Sequence, residues 1–113
     1  MKLLIAGSRS ITSFDLSPYI SSEVDTVICG GAHGIDALAE QYADEHGLLK
    51  TVVPPQYDRY GRAAPLKRNE QMVDMSDEVL VIWDGVSRGS AYTIRYAEKK
   101  GKPIRLVRVS WKN

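Results

Sequence analysis

Short apolar runs alternate along the chain with stretches whose apolar residues recur every three or four positions. Residues 3–6 are the first run and end in Gly7-Ser8, a strand leading into a turn. Residues 14–22 read as a short helix with Pro18 near its first turns. Residues 26–29 make a second strand, stopped by Gly30-Gly31. From Ile35 the positions Leu38, Ala39, Tyr42 and Ala43 follow a helical period, and Gly47 stops it. Residues 49–53 are a third strand, ended by Pro54-Pro55, and a polar, aromatic connection covers 56–64. A helix over 65–75 takes Pro65 in its first turn. Residues 79–83 form a fourth strand, 91–100 a helix stopped by Gly101, and 104–109 a fifth strand.

Strands alternating with helices predict βαβ units and a parallel sheet. The strand runs are almost continuously apolar, as expected when helices cover both faces. The predicted architecture is α/β: a three-layer α/β/α, Rossmann-like domain over residues 1–113 with about five parallel strands. In such sheets ligands sit beyond the carboxyl ends of the strands, where the strand order switches. The glycine-bearing turns of this chain fall at that edge.

Composition narrows the reading. Hydrophobic residues make up 43% and charged residues 26%, which suits a globular domain with a core. The net charge of +1 gives no uniform basic surface for duplex nucleic acid, although a local basic patch is compatible with it. Cys29 is the single cysteine, so no internal disulfide and no cysteine metal cluster is expected. The residues before Gly7 are too few for a signal peptide. No apolar run approaches the ~20 residues of a membrane span. A soluble, cytoplasmic protein without a membrane partner or bound metal is expected.

Three turns carry the candidate chemistry. In the first, Gly7-Ser8-Arg9-Ser10, glycine allows close approach of a ligand, the Ser8 hydroxyl can donate to a phosphate and Arg9 can pair with one. The second is Gly30-Gly31-Ala32-His33-Gly34-Ile35-Asp36, where a strand runs into glycines and a helix opens. Helix amides and the positive helix end suit an anion. Asp36 suits either the helix dipole or a ribose hydroxyl, and His33 either a phosphate or the polar surface. The third, Trp83-Asp84-Gly85-Val86-Ser87-Arg88-Gly89-Ser90, again precedes a helix. Ser87 or Ser90 suits a helix cap or a phosphate, and Trp83 the core or a base.

Between the third and fourth strands, residues 59–69 place Arg59, Arg62, Lys67 and Arg68 beside Asn69. These cations can neutralise phosphate, and Tyr57 and Tyr60 can stack on a base or pack the connection down. Long connections of this kind are often functional. Neither a Walker A sequence nor the dinucleotide fingerprint is present.

The order of these motifs resembles the SLOG superfamily: Gly7-Ser8-Arg9, then Gly30 to Asp36, then Arg68-Asn69 with Met72, then Trp83 to Ser90. Within it the chain is most similar to the small YspA/YpsA-related proteins of the DUF2493 type, over about residues 2–108. The resemblance implies a Rossmann-like fold and a nucleotide or nucleotide-derived ligand, in some members read as a signal. It also implies a homodimer or higher homo-oligomer, for which Tyr92, Tyr96 and Trp111 are interface or core candidates. The superfamily includes phosphoribohydrolases whose catalytic glutamate falls at Thr93 here, and a threonine supplies no carboxylate.

The leading expectation is a module that binds a nucleotide or an ADP-ribose-like molecule for sensing, sequestration or signalling. Gly7, Ser8, Arg9, Gly30, Gly31, Ala32, His33, Asp36, Arg62, Arg68, Asn69, Trp83, Asp84, Ser87, Gly89 and Ser90 are its candidate contacts. The alternatives are a hydrolase of nucleoside monophosphates that cleaves the N-glycosidic bond or a phosphate ester, with Asp36, Asp84 and Arg68 as candidate catalytic groups, and, as the resemblance to a superfamily that includes a DNA-processing protein implies, binding of single-stranded nucleic acid.

Overall fold

A computed structural model describes residues 1–110 and shows an α/β domain with one five-stranded, all-parallel sheet. The strands are β1 (Lys2–Gly7), β2 (Thr26–Cys29), β3 (Leu49–Val52), β4 (Glu78–Trp83) and β5 (Ile104–Arg108). The helices are α1 (Ile35–Glu45), the single-turn α2 (Tyr57–Tyr60), α3 (Ala64–Met75) and α4 (Arg88–Lys99). The strand order is β3-β2-β1-β4-β5. The order therefore switches between β1 and β4, paired from Leu3↔Glu78 to Gly7↔Ile82. The fold is Rossmann-like, with helices on both faces.

The strand period of two explains both layers. Leu3 and Ile5 of β1, Val27 of β2 and Leu80 and Ile82 of β4 face α1, where Ile35, Ala39 and Ala43 meet them. Leu4, Ile28, Val79 and Val81 face the other way, against Met72 and Val73 of α3 and Ala97 of α4. Each large aliphatic side chain so buried contributes on the order of 1.5–3 kcal/mol. β1, β2 and β4 are covered on both faces, whereas the edge strands β3 and β5 are half open and carry Lys50, Thr51, Arg105 and Arg108.

The predicted helix over 14–22 does not form; only a 3-10 turn at Ser17–Tyr19 does. Asp15 Oδ1 accepts the Ser17 amide at 3.1 Å and the Ser17 hydroxyl at 2.6 Å, and Ser21 Oγ accepts the Glu23 amide. Such local side-chain bonds compete with a helical ladder. The irregular segment still covers the sheet, since Ile11, Leu16 and Val24 are buried in the α1-side core. The 56–64 connection is more ordered than expected: α2 and a 3-10 turn at Gly61–Ala63 lead straight into α3.

Among the described residues, no helix is long and apolar enough to cross a membrane. Trp111, an interface candidate above, lies outside the described residues. Tyr92 and Tyr96 are half-buried and give their hydroxyls to Glu70 and Asp74, tying α4 to α3.

Candidate functional site

A cleft of about 370 Å³ opens at the carboxyl ends of β1 and β4, where the strand order switches. Its walls come from the turns after β1, β2 and β4 and from the facing sides of α3 and α4. A wider cavity of about 430 Å³ lies at the opposite end of the sheet, beside Met1, Tyr19, Glu78 and Arg105. None of the glycine-bearing turns reaches that cavity, so the candidate chemistry belongs to the smaller cleft.

Ser8 ties the turns together. Its side chain is fully buried, and its hydroxyl oxygen accepts the Asp84 amide at 3.0 Å. Its own amide donates to Ile82 O at 3.0 Å, and its carbonyl accepts the Ile35 amide at 3.3 Å. That carbonyl passes so close to the start of α1 that a Cβ on Gly34 would lie 2.5 Å from it. Gly34 also has a φ of 74°, a conformation that L side chains rarely adopt.

Two carboxylates occupy amides of the second and third turns. Asp36 Oδ2 accepts the Ala32 amide at 3.1 Å. Asp84 Oδ1 accepts the Val86 and Ser87 amides, each at 2.9 Å, and its Oδ2 accepts the Ser10 hydroxyl. The two groups are pushed in opposite directions. Burial raises the Asp36 carboxyl above the usual carboxylate range, although the Ala32 amide, Arg68 and Arg9 pull the other way. The Val86 amide leads the donors that hold Asp84 down at about 2.

Arg68 is 8% exposed and spends most of its donors on the protein. Nη1 donates to Gly30 O at 2.7 Å and Val53 O at 3.3 Å, while Nε donates to Asn69 Oδ1 at 3.0 Å. The guanidinium thereby joins α3 to the ends of β2 and β3. Asn69 in turn donates from Nδ2 to Gly89 O at 3.5 Å, and Thr93 Oγ1 donates to the same carbonyl at 3.1 Å.

The start of α4 is left open. The amides of Arg88, Gly89 and Ser90 have no acceptor among the described residues. Ser87 stands at the N-cap without making a side-chain cap bond; its hydroxyl donates to Ser90 Oγ at 3.4 Å. Orphan amides and the positive end of a twelve-residue helix suit an anion. Asp36, across the cleft, suits a hydroxyl or amino donor.

Of the candidates from sequence, Gly7, Arg9, Ala32, Asp36, Arg68, Asn69, Asp84, Ser87, Gly89 and Ser90 line this cleft. Ser8, Gly30 and Gly31 stand outside its lining, with Ser8 and Gly30 buried. His33 and Arg62 are exposed away from it. Trp83 also stays outside: its indole Nε1 donates to Ser87 O at 3.0 Å while the ring packs on the α3–α4 core. Tyr57 is 60% exposed beside Pro55 and Arg59, and Arg59 sits over the Tyr60 ring.

Sequence reasoning missed the apolar wall made by Ala6, Pro65 and Leu66. Leu66 next to Pro65 in a first helical turn was the available signal. Among the described residues no three His, Cys, Asp or Glu side chains gather as metal ligands. No protein-family model, no curated protein and no solved structure matches the chain.

Proposed function

We propose that this chain binds a nucleotide or nucleotide-derived phosphate ligand in the cleft between β1 and β4, as a SLOG-type binding or sensing module. The observation that carries the reading is the open start of α4, where Gly89 and Ser90, whose amides have no acceptor among the described residues, line a cleft also lined by Arg9. A phosphate sits there on the Gly89 and Ser90 amides, with the Ser87 and Ser90 hydroxyls beside it. Arg9, exposed at the rim, neutralises its charge. Asp36 accepts from a ribose hydroxyl, and the Pro65–Leu66 wall takes the flatter, less polar part of the ligand.

In this reading Arg68 keeps the second turn in place and contributes its positive field. The amides of Ala32, Val86 and Ser87 already serve carboxylates, so the phosphate is held at one helix start.

Native mass spectrometry of the purified chain, followed by a thermal-shift screen of nucleotides, tests this. A ligand that binds only the folded state raises the melting temperature. No co-purifying small molecule and no shift with any phosphate-bearing nucleoside refutes the reading.

One observation favours a second reading, hydrolysis of an N-glycosidic bond. Asp36 and Asp84 share the cleft and are driven apart in acidity, which is how two carboxylates take different roles. Asp84 is committed to three donors, so Asp36 is the group able to act on a water. Release of free base from nucleoside monophosphates, abolished in Asp36→Ala, decides for catalysis over binding alone.

A further inference from the structure

We propose that the cavity at the amino ends of β1, β4 and β5 binds a single free α-amino acid with an apolar side chain. This cavity lies at the other end of the sheet from the cleft, and the proposal does not rest on the nucleotide reading.

Topology explains why a cavity exists there. α1 packs on β1, β2 and β3. Over the amino ends of β4 and β5, the same face of the sheet is covered by residues 18–24, a 3-10 turn running into irregular chain. Such a segment lacks the continuous apolar stripe that a helix lays on strands, and about 430 Å³ stays open beneath it.

The floor is apolar and the rim carries charges of both signs. Leu3, Leu80 and Val24 make the floor and are buried. Glu78 stands two residues before Leu80 on β4, and Arg105 of β5 pairs with Leu80 in register. Both therefore share the face of the sheet that carries Leu80. Strand spacing and rise put their Cα atoms about 8 Å apart. Two long side chains can bridge that distance, yet they form no ion pair. The Arg105 guanidinium lies instead over the Tyr19 ring, 5.9 Å from its centre, on the wall made by the irregular segment. A carboxylate and a guanidinium, both exposed, thus stand on one small cavity without meeting. The Met1 ammonium, also at this cavity, is already bonded to the Glu23 carbonyl at 3.0 Å and paired with Asp25 at 3.1 Å.

Folding accounts for Arg105 and not for Glu78. An arginine on an edge strand deters pairing with another sheet, and its guanidinium gains from an aromatic ring. Glutamate is disfavoured in strands, and Glu78 makes no ion pair among the described residues. Glu23 adds a second negative charge to the same rim.

An α-amino acid answers this set of groups. Its carboxylate accepts from Arg105, whose planar fork suits two parallel N–H donations. Its ammonium donates to Glu78, within the field of Glu23. Both charges sit on one carbon, compact enough to enter between the two side chains. The apolar side chain then lies over Leu80, against the half-buried Tyr19 and Ile20. A ligand with one charge leaves one rim group unanswered. A peptide of several residues sets its terminal charges more than one strand spacing apart.

Calorimetry and amide NMR of the full chain with L-leucine and L-phenylalanine test the proposal. Both amino acids bind saturably with a Kd at or below about 1 mM, and the shifted amides include Leu3, Val24 and Leu80. N-acetyl-leucine and leucine amide, which each lack one charge, bind roughly tenfold or more weakly, the loss expected for a hydrogen bond between charged groups. Arg105→Gln and Glu78→Gln each weaken leucine binding by a similar factor, and Arg105→Lys restores part of it. These variants leave nucleotide binding in the cleft unchanged, so the two readings fail separately. Absence of saturable binding by either amino acid overturns the proposal. So does leucine binding that blocking either charge leaves intact, or that Glu78→Gln leaves intact, or that shifts amides at the cleft instead.

Discussion

The Asp36 carboxylate and the Arg68 guanidinium meet at Gly30: a Cβ there would lie 2.9 Å from Asp36 Oδ2 and 2.6 Å from Arg68 Nη1. The residue type at position 30 is thus set by two side chains distant in sequence, one opening α1 and one in the middle of α3. Arg68 also takes the Gly30 carbonyl, so this residue has neither room nor freedom to shift.

Gly30→Ala is accordingly destabilising. The added methyl has to displace a guanidinium held by two carbonyls, and overpacking of this kind costs about 1–3 kcal/mol. Urea unfolding at neutral pH measures the loss. A variant as stable as the wild type would show that the Arg68 clamp is loose.

Arg9 and Arg68 separate binding from stability. Arg9→Ala lowers affinity for a nucleotide by about 1.5–3 kcal/mol, the range for hydrogen bonds to charged groups, with the melting temperature unchanged. Arg68→Ala leaves the Gly30 and Val53 carbonyls without their donor and costs roughly 1–3 kcal/mol of stability, with affinity falling as well. Calorimetry and thermal unfolding of both variants check the contrast.

Acidity at Asp36 gives a pH signature. Burial raises its folded pKa above 3.8, so its ionised form is penalised by folding. The stability linked to its protonation is complete below the unfolded value and is lost as pH rises through the folded one. Asp36→Asn keeps an acceptor for the Ala32 amide without the charge. It is more stable than the wild type at neutral pH, and the gap closes as pH falls towards 3.8. Urea midpoints across that range measure it.

Asp84 behaves in the opposite sense. Its folded pKa of about 2 lies below the ordinary 3.8, so its contribution is present above the unfolded value. The wild type's advantage over Asp84→Ala is full at neutral pH and shrinks as pH drops from 3.8 towards 2. Acid titration of the two proteins, followed by circular dichroism, gives the curve. An advantage that persists unchanged at the acid end contradicts the bonding seen in the third turn.

The strands were legible because a buried parallel sheet demands continuous apolar runs, and β1, β2 and β4 have them. The helix expected over 14–22 was misread because apolar spacing at Phe14, Leu16 and Ile20 says nothing of the bonds that Asp15 and Ser21 make to nearby amides. At the site, the glycine turns announced where separate stretches of the chain come close, at Gly7, Gly30 and Gly34. They did not announce that Asp36 turns back on the Ala32 amide and Asp84 on the Val86 and Ser87 amides, because that depends on rotamers and on the local path of each turn. The role of Arg68 was hidden for a related reason. Its partners, Gly30 and Val53, are 38 and 15 residues away, and no local pattern encodes them.

Ser8 bonds to β4 through its amide, to the turn after β4 through its hydroxyl, and to the start of α1 through its carbonyl. One side of the cleft is therefore a single stiff rim with no independent flaps. Under the proposed function, accommodation of ligands of different girth falls to the opposite bank, where the opening turn of α3 contributes Pro65 and Leu66 to the lining.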